Sequence, residues 1–236
     1  MKTERPLWSA AHTASRGSMK ALNTPHTAKH SSWSYAEQHG PDDPVLEAAR
    51  RRGQDLGVTS VSEGAASVLT VLAAAAEAHT LVEVGSGAGV SGVSLLRGAP
   101  TQAVLTSIDP DPDHQHAARE TFGQEGISTA RTRLITGRAE EVLPRLRSGA
   151  YDLVLLDADA EHAGHCTGEG LRLLRPGGLL IVNDALDGDK VPRPAVREPS
   201  TQTMRAVEEE LRDHSGLHTA LLPTGTDLLV AVRRTV

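Results

Sequence analysis

The chain has 236 residues, enough for one α/β domain with a substantial core. Aromatic residues make up only 2%, so the core must be built from Leu, Val and Ala, and the stacking platforms on which nucleic-acid binders rely are missing. A formal net charge of −6 leaves no basic footprint for DNA or RNA, and the single cysteine, Cys166, excludes an internal disulfide.

No apolar run approaches membrane-spanning length, and the N-terminus lacks an apolar signal core, so a cytoplasmic location is expected. Residues 1–40 are rich in Ser, Thr, His, Ala and Lys without periodicity and are expected to be a mostly disordered tail, docked onto the body by Trp33 and Tyr35. Of its four histidines (His12, His26, His30 and His39), His26 and His30 have helical spacing, but Pro25 and the polar surroundings favour a loose tail over a metal site. Residues 41–236 form the folded domain. A helix over 43–57 is capped by Asp42 or Asp43, takes Pro44 in its first turn, and is weakened or ended by Gly53 and Gly57. Ser62 is the N-cap of a second helix to about Ala78, with Val68, Leu69, Val71 and Leu72 on its buried side.

A regular alternation follows. Strands are expected at 81–84, 104–108, 131–135, 151–156 and 179–182, with helices near 90–97, 112–124, 139–147 and 163–174, the last closed by Pro176, Gly177 and Gly178. This rhythm specifies a Rossmann-like, doubly wound parallel sheet. After a charged, Pro- and Gly-rich loop over 184–198 and a helix over 200–213, Leu217 to Leu222 and Asp227 to Val232 are joined by a tight turn, so they must pair antiparallel. The sheet is then seven-stranded with an antiparallel last strand. Glu83, Asp109, residues 137–139, Asp157, Asn183 and Asp184 all fall at the carboxyl ends of strands, the rim where open α/β sheets bind ligands.

The stretch Leu81 to Gly92 organises this rim. A short apolar run is followed by alternating glycines and then by a helix start, whose N–H groups lack partners and suit a polar or anionic ligand. Gly87, Gly89 and Gly92 satisfy the dinucleotide spacing G-x-G-x-x-G. Glu83, Gly85, Gly87 and Gly89 satisfy acid-x-Gly-x-Gly-x-Gly, and an acid before the loop suits an ammonium better than a pyrophosphate. Asp109, ending the next strand, suits a pair of ribose hydroxyls under either reading.

The second pattern resembles motif I of the class I S-adenosylmethionine (SAM) methyltransferases. Leu105 to Asp109 with Asp113, His114, Ala117 and Arg119, then Gly137 to Ala139 with Leu143 and Pro144, Tyr151 to Val154 with Asp157 and Asp159, and Leu173 to Gly178 resemble, in order, the motifs of the small O-methyltransferases that include catechol and caffeoyl-CoA O-methyltransferases. The likeness covers roughly residues 43–234 and is nearest to actinobacterial members. It implies the class I methyltransferase fold and SAM as cofactor. It also implies a small hydroxylated substrate and a homodimer; composition and charge, as above, leave no membrane or nucleic-acid partner expected. Carried over by position, Glu83 holds the methionine end with Gly85, Ser86 and Gly87 lining it, and Ser91 bonds the carboxylate. Asp109 takes the ribose. Pro110, Arg138 and Ala139 flank the adenine, and Val61 covers the cofactor.

Relatives of the catechol type use a divalent metal, such as Mg2+, to make the acceptor oxygens anionic, with a lysine as base. The resemblance places the metal ligands at Asp157, Asn183 and Asp184, with the later pair reversed in order, and Asp157 also lies beside the cofactor. The lysine position is Ala160, so Asp157 and Asp159 are the candidate catalytic groups, with His162 as a further substitute base. Two other functions compete: an NAD-dependent oxidoreductase using the dinucleotide spacing, and a SAM-binding protein with lost chemistry, suggested by Ala160 and the reversed pair. An RNA methyltransferase is a third, disfavoured by the acidic balance.

Overall fold

The computed structural model describes residues 26–41, 43–157 and 159–235. Its helices are α1 (His26–Glu37), α2 (Pro44–Asp55), α3 (Glu63–Ala75), α4 (Val90–Gly98), α5 (Pro112–Gln124), α6 (Ala139–Val142), α7 (Ala163–Leu173) and α8 (Pro199–Asp213). The strands are β1 (Thr80–Val84), β2 (Val104–Asp109), β3 (Thr132–Thr136), β4 (Tyr151–Leu156), β5 (Leu174–Val182), β6 (Leu217–Leu222) and β7 (Leu228–Arg233). They form one sheet in the order β3-β2-β1-β4-β5-β7-β6, with β1 to β5 parallel and β7 antiparallel to both β5 and β6. This is the expected seven-stranded class I arrangement.

Successive residues of a strand face opposite sides, and the central strands are apolar on both. Leu81, Leu105, Leu153, Leu155 and Ile181 point into a core closed by α2, α3, α4 and α5. Val82, Val84, Val154, Leu156, Leu180 and Val182 point into the other, closed by α6, α7 and α8. Each such side chain contributes about 1.5–3 kcal/mol on burial, so β1 and β4 anchor the site that their carboxyl ends carry. Cys166 is part of the second core, where burial pushes its thiol up to about 11, which makes it inert. Among the described residues no helix is long and apolar enough to cross a membrane.

Several local expectations are corrected. The tail expected over 1–40 contains a helix, α1, which packs on α3; residues 1–25 and the side chains of His26 and His30 lie outside the described residues. Tyr35 does not dock: it is 75% exposed, and Trp33 is half exposed. The carboxylate of Glu37 ties the end of α1 to the start of α3 and to the turn between β6 and β7. On α3, Val71 faces solvent, and the buried stripe is Ala65, Ala66, Leu69 and Ala73. The small residues allow close packing on α4, where a Cβ on Gly98 would overlap the Thr70 carbonyl. The helix expected over 139–147 is only the four residues of α6 and a following 3-10 turn. Finally, Pro176 to Gly178 do not precede β5 but lie within it: between Leu174 and Leu179 the strand bulges past Tyr151 to Leu153 of β4.

Candidate active site

At the carboxyl ends of β1, β2 and β4 lies a cavity of about 800 Å3, within the range of small-molecule sites. The loop after β1 forms its floor. Gly85 takes a positive φ, and a Cβ there would overlap the Asp157 carbonyl, so the ends of β1 and β4 close to a gap only glycine fits. Gly89, also at positive φ, starts α4 without a side-chain cap, leaving the first N–H groups of that helix to the cavity side.

Most of the candidate residues border this space. Val61, Gly85, Ser86, Gly87, Ser91, Asp109, Pro110, Arg138, Ala139, Asp157, Asp159 and Asp184 all line it. Glu83 and Asn183 do not. Glu83 is wholly buried behind the loop, where its Oε1 accepts from Ser91 Oγ at 2.5 Å and its Oε2 from Ser107 Oγ at 2.7 Å. Burial raises its carboxyl to about 7 against the pull of those two hydroxyls. The network continues as Ser107 accepts from Ser86 Oγ at 2.6 Å and Ser86 from Gln115 Nε2 at 3.0 Å. A serine has one proton. While Glu83 is ionised, the proton of Ser91 is committed to it, and Ser91 offers the cavity only lone pairs. Ser91 can donate to an anion only when Glu83 holds a proton itself. Glu83 and Ser91 therefore act as one unit, not as two independent contacts.

Asp109 is similarly engaged. Its Oδ2 accepts from the Ser86 and Gly87 N–H groups at 2.9 and 3.1 Å. Its Oδ1 accepts from the Asp111 N–H at 2.9 Å and faces His114 Nδ1 at 3.1 Å. These use about four acceptor positions, the capacity of a carboxylate. Three of the donors are backbone; His114 is the side chain that can yield. Its place on α5, one turn after the strand, was legible only as part of a motif. Ser107 and Gln115 were missed altogether. The available signal was polarity: Thr106 and Ser107 interrupt a strand buried on both faces, and buried hydroxyls require partners.

A family model described as a methyltransferase domain matches residues 82–185. A protein of Mycobacterium sp. (strain JLS), named "Putative O-methyltransferase", is 42% identical over 199 residues, covering 84% of this chain and 90% of its own. The chain belongs to the O-methyltransferase family. Among solved structures, a protein from Corynebacterium glutamicum superposes with a TM-score of 0.82 at 28% identity, covering 89% of this chain and 98% of its own. The O-methyltransferase TomG from Streptomyces achromogenes, crystallised with SAM, gives 0.78 at 23% identity over 87% and 96%, a likeness of fold. The rim read from strand ends is thus the rim of a class I methyltransferase.

In this methyltransferase the metal candidates do not form a cage. Asn183 Nδ2 donates to Asp157 Oδ1 at 2.8 Å, while its Oδ1 accepts from Thr226 Oγ1 at 3.1 Å. The amide nitrogen, which cannot ligate a cation, is the atom turned toward Asp157. Turning the amide over would set oxygen against oxygen at Asp157 and nitrogen toward the Thr226 hydroxyl. Asp184, held at positive φ, accepts from the Gly188 N–H at 2.9 Å. Among the described residues no group of three His, Cys, Asp or Glu is placed to hold a metal. Asp157 is nonetheless poised: burial, opposed by the Asn183 donor, raises its carboxyl to about 6. Asp159 and His162 stand at the mouth. His162 is engaged with Glu140, Nε2 to Oε1 at 3.1 Å, rather than aimed freely at the cavity.

Proposed function

We propose that this chain methylates an oxygen of a small hydroxylated molecule, with SAM as the methyl donor. The observation that carries the reading is the convergence of the glycine turn, Asp109, Ala139 and Asp157 on one cavity in a chain of O-methyltransferase ancestry. Bound SAM supplies an electrophilic methyl group on a sulfonium. The residues of the chain then have to align an oxygen with it and exclude water. Asp109 receives the ribose, displacing His114. Pro110, Arg138 and Ala139 flank the adenine, and Val61 covers it. With Glu83 ionised, Ser91 accepts from the ammonium. The acceptor lies between Asp157, Asp159 and Asp184. Asp157 would hold the acceptor hydroxyl and take up its proton, and bound SAM would supply the methyl group. A carboxyl titrating near neutrality suits that task.

The acceptor side is acidic: Asp157, Asp159, Glu161, Asp184 and Asp187 line it, and the guanidinium of the lining, Arg138, is assigned to the adenine side. Neutral or amine-bearing hydroxy compounds fit such a wall better than carboxylated ones. A divalent cation would have to be held by Asp157 and Asp184 after Asn183 gave up its bond to Asp157, and turnover in EDTA decides whether that occurs. A homodimer is part of the reading, and light scattering of the purified protein tests it. The primary test is calorimetry with S-adenosylhomocysteine (SAH). Saturable one-site binding is expected, and no heat with either SAH or SAM refutes the reading. Enhanced NADH fluorescence on mixing would instead favour the oxidoreductase.

A further inference from the structure

Glu37 lies at the end of α1, outside every motif of the family resemblance, yet among the described residues its carboxylate is one of the most heavily bonded. Its Oε2 accepts from the Gly64 N–H at 3.1 Å. Its Oε1 accepts from Thr224 Oγ1 at 2.8 Å and from the Gly225 N–H at 2.7 Å, across 187 and 188 residues of sequence. Burial opposes its charge, but these bonds, with one to Ser62, outweigh it and hold the carboxyl below the usual range. Gly64 lies in the first turn of α3, where N–H groups lack helical partners. Ser62 satisfies Ala65 there, and Glu37 satisfies Gly64 from another helix, with its charge against the positive end of the α3 dipole.

The neighbouring glycines show how close the fit is. A Cβ on Gly64 would lie 2.6 Å from the Glu37 carboxylate, and one on Gly225 would lie 2.6 Å from Ser62 Oγ. Glu37 thus joins three pieces that are remote in sequence: α1, the start of α3, and the turn between β6 and β7. Two of these touch the active site. Val61, immediately before α3, lines the cavity. Thr226, in the turn, holds Asn183, and Asn183 holds Asp157.

We propose that Glu37 is a positioning residue for the active site, acting through the β6–β7 turn and Asn183 to fix the Asp157 carboxylate. This rests on the reading of Asp157 as part of the cofactor and acceptor site. A carboxylate held on one side by Asn183 presents its other oxygen to the cavity in one orientation. Without Glu37 the turn loses two of its bonds, Thr226 drifts, and Asn183 keeps its bond to Asp157 only part of the time.

Calorimetry with SAH on Glu37→Ala, Glu37→Gln, Thr226→Val, Asn183→Ala and the Glu37→Ala/Asn183→Ala double variant tests this. One to two hydrogen bonds set the expected size, a loss of about 5- to 10-fold in SAH affinity for Glu37→Ala. Glu37→Gln keeps a carbonyl oxygen for the turn and should recover most of it. The double variant should bind no more weakly than Asn183→Ala alone, because both act on one path. Hydrogen exchange of the full chain should quicken at residues 182–186 and 222–228, with β3 unchanged. Thr226→Val, an exposed change that leaves the α1–α3 contact intact, should reproduce the loss even if Glu37→Ala folds poorly. Wild-type affinity in Glu37→Ala, or losses that multiply in the double variant, would overturn the proposal. Failure of the wild type to bind SAH would instead sink the methyltransferase reading, while the exchange pattern still judges the linkage.

Discussion

Replacing Glu83 with Gln is the sharpest probe of the buried network beneath the glycine loop. Glu83 is wholly removed from solvent, and its carboxyl rises from 4.5 to about 7. That difference amounts to about 3 kcal/mol between the folded and unfolded chain. Between pH 4.5 and 7 the folded protein keeps a proton that the unfolded chain has released. Stability from this group is therefore greatest below pH 4.5, falls as pH rises through that window, and is flat above it. Asp157 and Asp227, each raised to about 6, add to the slope in the same direction but are present in both proteins. Subtracting the Glu83→Gln curve from the wild-type curve isolates Glu83. Gln keeps one acceptor for a serine, and its amide can donate to the other, so about 1 kcal/mol is lost in remaking the bonds. Urea unfolding at half-unit steps from pH 5 to 8 should give a wild-type curve that falls by about 2 to 3 kcal/mol more than the variant's, the rest of the difference lying below pH 5. The variant should be the more stable protein at pH 8. Parallel curves would show that Glu83 titrates as an ordinary carboxylate and would refute the account of the network.

Other consequences are open to direct measurement. Gly98→Ala forces a Cβ onto the Thr70 carbonyl where α3 and α4 meet, and should cost more than about 3 kcal/mol in chemical denaturation. His114→Ala removes the one displaceable donor on Asp109; SAH should bind at least as tightly as to wild type, and a tenfold loss would show that His114 contacts the cofactor. Because Asn183 turns its nitrogen to Asp157, a cage of oxygen ligands is not formed there and EDTA should leave turnover unchanged; complete loss restored by Mg2+ would show that the amide turns over. In a panel of phenols matched in size, amine-bearing members should have lower KM than carboxylated ones, and the opposite ranking would show that the acidic wall does not face the acceptor.

Much of the fold could be read from the chain because its parallel strands are apolar on both faces and evenly separated by helices. The strand ends then delivered Asp109, Asp157 and Asp184 to one rim without any knowledge of side-chain contacts. What was hidden has physical causes. On α3, Ala65, Ala66 and Ala73 are buried while the bulkier Val71 is not, because close approach to α4 demands small residues. At β5, Pro176 and Gly177 signal a turn, but a bulge absorbs them and pairing begins at Leu174. Helix α1 has little apolar periodicity, and a carboxylate bonded to residues almost two hundred positions away holds it in place. The state of Glu83 was also beyond reach: its position marks a candidate acid, but only the surrounding Ser91 and Ser107 show how it is wired.

The placement of β7 between β5 and β6 bears on how the chain assembles. Strand β6 is made first but has no place against β5 until β7 arrives to separate them. During synthesis the flank of β5 therefore stays bare, with unpaired N–H and C=O groups that could recruit another chain. The same late arrival delivers Thr226 to Asn183, so the catalytic rim is completed by the last piece of the sheet to dock. Protein released before that step would be compact, sticky along one border, and catalytically silent.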